Sequence, residues 1–198
     1  MSKFKDKVFY RLRETYTQIV VIFNNTWWKL NGTHIGKNTK LNRSFITWPH
    51  QLSLGKKCIV EQYVYFKFDD IWKPGPSIII RDRVFIGSYC EFNITKRIEI
   101  NNDCLIASNC KFIDHDHGIS KDVRINIQQC VEEEIIIEED VWIGANAVVL
   151  KGVKIGKGAI IGAGTVLTKS VPAYEIWAGV PGKKIGERKN DNYVMYTL

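Results

Sequence analysis

At 198 residues, 45% of them hydrophobic, the chain can bury one sizeable core. Its net charge of +7 suits an anionic partner or simple solubility, and no DNA- or RNA-binding signature accompanies it. No apolar run approaches a membrane span, no signal-peptide pattern opens the chain, and five cysteines without a CxxC pair argue against a disulfide framework, so a reducing, cytoplasmic setting is expected.

Residues 1–30 form a first segment, with an amphipathic helix read over residues 3–23. Val8, Leu12, Tyr16, Ile19 and Phe23 recur at steps of three or four, and Lys3, Lys5, Lys7, Arg11 and Arg13 make the first half basic. The expected role is to cap an open end of the core or to pack on a neighbouring subunit. The alternative is weak association with a membrane surface.

Residues 31–170 carry a sixfold rhythm. Ile137, Ile143, Val149, Ile155, Ile161 and Leu167 fall on successive sixth positions. So do Leu54, Val60 and Phe66, then Ile80, Ile86 and Phe92, then Ile94, Ile100, Ile106 and Phe112, while Ile35 begins an isolated run. A period of six fits neither a helix nor a plain strand, and it fits a solenoid built from hexapeptides. Four residues after each aliphatic the side chain is small, as at Val84, Cys90, Cys104, Cys110, Ala147 and Thr165. Both positions are expected to face a narrow core. Cys58, Cys90, Cys104 and Cys110 occupy the small position and need no chemistry, whereas Cys130 lies off the pattern.

Two insertions interrupt the rhythm, at residues 67–79 and 114–136. The first contains FDDIWKPGPS, with two prolines and an outlying Trp72 that is a candidate for shaping an acceptor pocket. The second opens on Asp114-His115-Asp116-His117-Gly118 and holds two of the four histidines. Insertions in solenoids usually carry function. Residues 171–198 form a C-terminal extension.

Three segments carry a resemblance: CKFIDHDHG, DVWIGANAVVLKGVKIGKGAIIGAGTVLTKSVP, and AGVPGKKI from Ala178 to Ile185. From about Ile80 to Ile185 the chain resembles the hexapeptide-repeat acetyltransferases. It is most similar to the galactoside and maltose acetyltransferases and the O-acetyltransferases of bacterial surface polysaccharides. The resemblance implies an all-β solenoid, a left-handed parallel β-helix assembled as a homotrimer, with acetyl-CoA as acyl donor in clefts between subunits and no metal required. It implies a loop histidine as general base. Counting from the preceding hexapeptide places that role on His117, with His115 secondary. It also implies cofactor contacts from Trp142, Ala145, Ala163, Thr168, Lys169 and Lys183, with Lys184 assisting and the Ala145 amide as oxyanion donor. Base and cofactor residues are expected on one face of the coil.

The chemistry is coherent in its own terms. A sugar hydroxyl attacks a thioester only if its proton is removed as it attacks, and a neutral imidazole suits that task near pH 7. Backbone N–H groups stabilise the oxyanion that forms. The reading is therefore an O-acetyltransferase of a sugar hydroxyl in surface-polysaccharide biosynthesis. N-acetylation of an amino sugar and a non-catalytic scaffold are the alternatives. A zinc site built on three histidines is disfavoured, because only His34 and His50 could join the loop pair.

Overall fold

The computed structural model describes residues 2–189. Residues 190–198 of the expected C-terminal extension, and the side chain of Lys3, lie outside the described residues.

Each hexad makes a short strand and a corner. The aliphatic residue faces inward, and three residues later the backbone turns through positive φ. Asn38, Lys57, Tyr63, Arg83, Tyr89, Asp103, Asn109, Asp140 and Asn146 all lie between +56° and +62°, and Gly158 and Gly164 hold the same place at +67° and +69°. The next residue points back inside. Cys58, Cys90, Cys104, Cys110, Ala147, Ala159 and Thr165 are all fully buried there, and the four cysteines are free thiols.

Stacking these units gives three parallel sheets of six, eight and six strands. The first face includes Ile78–Ile80, Ile98–Ile100, Ile135–Ile137 and Lys154–Ile155. The second includes Phe85–Ile86, Leu105–Ile106, Trp142–Ile143 and Ile160–Ile161. The third includes Glu91–Ile94, Lys111–Ile113, Val148–Leu150 and Val166–Leu167. Like pairs with like in register, for example Lys111, Phe112 and Ile113 opposite Val148, Val149 and Leu150. Inside the third face the rings of Phe66, Phe92 and Phe112 stack with centroids 4.9 and 4.8 Å apart, a geometry that adds to their area burial. The rhythm that begins at Ile35 continues through buried Leu41, so the first coil is complete and its edge strands are His34–Ile35, Lys40–Leu41 and Phe45–Ile46.

The corner between the second and third faces, here called the closed corner, is short in every coil. The corner between the third and first faces, the open corner, carries both insertions. The chain leaves it between Phe68 and Ile78, and again between Ile113 and Ile135.

The N-terminal helix spans Ser2–Leu30, a full two turns beyond the stretch read from the sequence. Only its second half touches the coil. Asn24 Nδ2 donates to the carbonyls of Leu41 and Asn42, and Asn25 Nδ2 to that of Thr39, so two amides satisfy the edge strand of the first coil. After the last coil, Glu175–Ala178 joins the second face and pairs antiparallel with Lys183–Glu187.

Candidate active site

The open corner is built around Asp114. In a regular corner the N–H groups donate to carbonyls of the adjacent coil. Here the chain departs, and a carboxylate takes over. Asp114 Oδ1 accepts from the Thr95 N–H at 2.9 Å and the Thr95 hydroxyl at 3.1 Å, and Oδ2 accepts from the Lys96 and Arg97 N–H groups, both at 2.8 Å. The residue is fully buried, so the three N–H groups supply the solvation that water cannot.

Asp114 also reaches the first histidine. His115 Nδ1 lies 3.2 Å from Asp114 Oδ1, and its side chain is only 12% exposed. A carboxylate accepts, so the imidazole donates from Nδ1. His115 and Asp116 then pair antiparallel with Glu132 and Val131, which closes the neck of the insertion. Lys151 Nζ fastens the same neck, 2.8 Å from Glu133 Oε1 and 3.7 Å from Asp116 Oδ2. The hydrogen bond from Lys151 holds the Glu133 carboxyl below the usual carboxylate range. Farther out, the Gln128 side chain bridges Ser120 and Val123.

His117 lies beyond the neck and is exposed, with Nδ1 3.9 Å from the Sγ of exposed Cys130. The loop also presents Ile119, Ile125 and Ile127 to solvent. The other insertion lies against it. Lys73 Nζ donates to the Thr95 carbonyl at 3.1 Å and sits 3.8 Å from Glu132, while Gln51 Nε2 holds the Lys73 carbonyl at 2.6 Å. Trp72 stands at the tip, 88% exposed.

The closed corner is flat and lined by small residues. Ser108, Ala145 and Ala163 stack there, with Asn146 N–H donating to the Ser108 carbonyl and Gly164 N–H to that of Ala145. Gly144 permits this spacing, since a Cβ on it would stand 2.5 Å from the Ala163 nitrogen. Trp142 lies on the adjoining second face, in register with Leu105 and Ile160, outward and 52% exposed. A groove of about 230 Å³ runs beside it, lined by Leu105, Asp140, Trp142, Ile160 and Arg188. Arg188 donates to Asp140 at 2.7 Å; it lies past the last recognisable motif and is not singled out by sequence.

The lysines divide. Lys183 is exposed and makes no ion pair among the described residues, whereas Lys184 is held by Glu175 at 2.8 Å and by Glu187. Those carboxylates push the Lys184 ammonium above its ordinary value and commit it locally. Thr168 and Lys169 are exposed and follow Val166–Leu167, which places them at the open corner of the last coil.

The expectation of a single face is corrected by this geometry. One hexad carries the chain a third of the way round the prism. The histidines, Thr168 and Lys169 therefore fall at the open corner, while Trp142, Ala145, Ala163 and Lys183 fall at the closed corner and the second face. The third face separates the two sets within one chain. Among the described residues no cluster of three or more His, Cys, Asp or Glu could hold a metal ion.

Residues 134–169 match the family described as bacterial transferase hexapeptide (six repeats). The chain is 32% identical over 116 residues to the putative lipopolysaccharide biosynthesis O-acetyl transferase WbbJ of Escherichia coli, covering 54% of this chain and 59% of that protein's length. It is 29% identical over 155 residues to the galactoside O-acetyltransferase of Lactococcus lactis, covering 72% of this chain and 70% of that one. Among solved structures, the N-acyltransferase AntD of Bacillus cereus, in complex with dTDP and 3-hydroxybutyryl-CoA, superposes with a TM-score of 0.71 at 21% identity, covering 84% and 88% of the two chains. The chain is a hexapeptide-repeat left-handed β-helix that resembles the galactoside and surface-polysaccharide O-acetyltransferases.

Proposed function

We propose that the protein is an acetyl-CoA-dependent O-acetyltransferase of a sugar hydroxyl, serving surface-polysaccharide biosynthesis in the cytoplasm as a homotrimer. The observation that carries this reading is the division of the site between two corners of one chain. A histidine loop at the open corner and a smooth, small-residue closed corner beside Trp142 make complementary halves of a cleft. Two copies side by side join them. The exposed Ile119, Ile125 and Ile127 of the loop supply apolar surface for that contact.

In this reading His117 is the general base. It is the accessible imidazole, whereas His115 is largely covered and bound to Asp114. His117 takes the hydroxyl proton as the oxygen attacks the thioester carbonyl. The thiolate of coenzyme A leaves and the acetyl ester forms. The Ala145 N–H of the neighbouring copy stabilises the oxyanion. Ala145 and Ala163 let the pantetheine arm lie flat, Trp142 walls it, and Lys183 and Lys169 face the phosphates. Trp72 lines the acceptor side. AntD carries N-acyl transfer on the same fold, so an amino sugar is the alternative acceptor.

Subunit mixing tests the reading. His117→Ala and Trp142→Ala are each expected to abolish most turnover when pure. Co-assembled, they regain part of it, because some clefts receive an intact half from each variant. Acetyl-CoA turnover with sugars, nucleotide sugars and amino sugars is the readout. No recovery on mixing, or a fully active monomer in sedimentation equilibrium, would overturn the shared cleft.

A further inference from the structure

The N-terminal helix is longer than its contact with the coil. At about 1.5 Å per residue its 29 residues extend about 43 Å. Val21, Asn24, Asn25 and Trp28 face the first coil, and every described residue from 5 to 20 other than Glu14 is exposed. A free helical arm of this composition, rich in aromatic and β-branched residues, is marginal in water without a partner.

Its free side is an apolar strip. Phe9, Leu12, Tyr16, Phe23, Trp27 and Leu30 are between 61% and 81% exposed. At about 100° per residue they fall within about 60° of one another, on the far side from the docked residues. Val8, Ile19 and Val20 broaden the strip. Of the helix's charges, Lys5 lies within the strip and Arg13 borders it, Arg11 and Lys29 lie on the opposite flank, and Lys7 sits toward the docked side with Asp6 and Glu14. Residues 15–30 contain no carboxylate at all.

We propose that this helix lies on an anionic lipid surface, with the strip inserted among the acyl chains and the cations at the headgroups. Charge decides for lipid over a second copy. Two helices joined strip to strip would gather Lys5 and Arg13 with no acidic residue along residues 15–30 to answer them. An anionic headgroup layer answers each one. The strip is also wide and aromatic, which suits an interface better than a narrow helix–helix seam. No helix among the described residues is long and apolar enough to cross a membrane, so the helix lies on the surface. The coil is held to the other side of the helix and stays in water.

Flotation of the full-length protein with vesicles tests this. The parent is expected to float with vesicles containing phosphatidylglycerol, and several-fold less with phosphatidylcholine alone or in high salt. Leu12→Asp with Phe23→Asp should abolish flotation while leaving the melting temperature unchanged, and Phe9→Asp with Tyr16→Asp, clear of the docked half, should do the same. Lys5→Glu with Arg13→Glu should cut binding at least tenfold and remove most of its salt dependence. A parent that ignores anionic vesicles, or flotation that survives both aspartate pairs, would overturn the proposal. So would a smaller sedimenting species for either aspartate pair, which would assign the strip to a second copy.

Discussion

The closed and open corners are made by the same repeat and obey opposite rules. At the closed corner each turn rests on the turn before it, through Asn146 N–H on the Ser108 carbonyl and Gly164 N–H on that of Ala145. An insertion in one coil would break the rungs of two neighbours, and none occurs. At the open corner the rungs are lost where the chain departs. Asp114 replaces them with side-chain oxygens for the Thr95, Lys96 and Arg97 N–H groups. A solenoid can thus lengthen a corner wherever a side chain takes over the backbone's hydrogen bonds. The histidine loop then starts from a fixed point.

The two histidines put that contrast to its strongest test. His117→Ala is expected to lower kcat by about 10²- to 10⁴-fold, the range for a positioned general base. Its melting temperature should match the parent's, because an exposed loop imidazole adds little to the core. His115→Ala should do the reverse in kind, lowering the melting temperature by loosening the neck. Turnover and thermal unfolding of both variants settle the roles. If His115→Ala removes turnover at unchanged stability and His117→Ala keeps it, the assignments are exchanged.

Asp114→Ala comes next in size. It strips the buried Thr95 N–H and the part-buried Lys96 and Arg97 N–H groups of their acceptor, and an unsatisfied buried donor costs about 1–3 kcal/mol. A loss of roughly 3–5 kcal/mol is expected after local relaxation, which at about 2–4 °C per kcal/mol lowers the midpoint by roughly 10 °C. An unchanged midpoint would mean that the corner does not depend on the carboxylate. The closed corner has its own counterpart. Gly144→Ala drives a Cβ to 2.5 Å from the Ala163 nitrogen, and overpacking of this kind costs about 1–3 kcal/mol. Because it spreads the coils under Ala145 and Ala163, the KM for acetyl-CoA should rise more than kcat falls. Calorimetry and donor-saturation curves read both effects.

How much of this is legible in the sequence follows the same division. The repeat announces itself wherever hexads run unbroken, as from Ile137 to Leu167, because one inward aliphatic per face is a steric demand of the prism. The small position four residues later is equally readable, and Cys58, Cys90, Cys104 and Cys110 are buried as that rule requires. The first coil is harder, since after Ile35 and Leu41 the next sixth position is Thr47, whose hydroxyl bonds to the Phe68 carbonyl and N–H instead of filling the core. The staple role of Asp114 depends on N–H groups 17 to 19 residues upstream, a distance that no local pattern records. The docking of the helix rests on Asn24 and Asn25, polar residues that the apolar periodicity passes over. The separation of the histidines from Trp142 was available from counting hexads by threes, but a motif read as one contiguous string hides it.

The smallest expected effect lies at the loop neck and depends on pH. Lys151 donates to Glu133 and sits near Asp116, so the Glu133 carboxyl is held below its ordinary value and the Lys151 ammonium above its own. The carboxylate's contribution is full above the ordinary carboxylate range, near pH 4.3, and fades as pH falls through the depressed value. The ammonium's contribution is full below about pH 10.4 and fades as pH rises through the raised value. Between those limits both are charged and the clasp is constant. Both groups meet solvent, so screening keeps the effect small. Lys151→Ala should therefore melt slightly below the parent by the same margin from about pH 5 to 9, with the curves converging below about pH 4. The gap should also shrink in high salt, while Gly144→Ala keeps its deficit at every pH and ionic strength. A Lys151→Ala deficit that persists unchanged in acid would show that the ammonium acts through its packing at the neck, and not through the charge of Glu133.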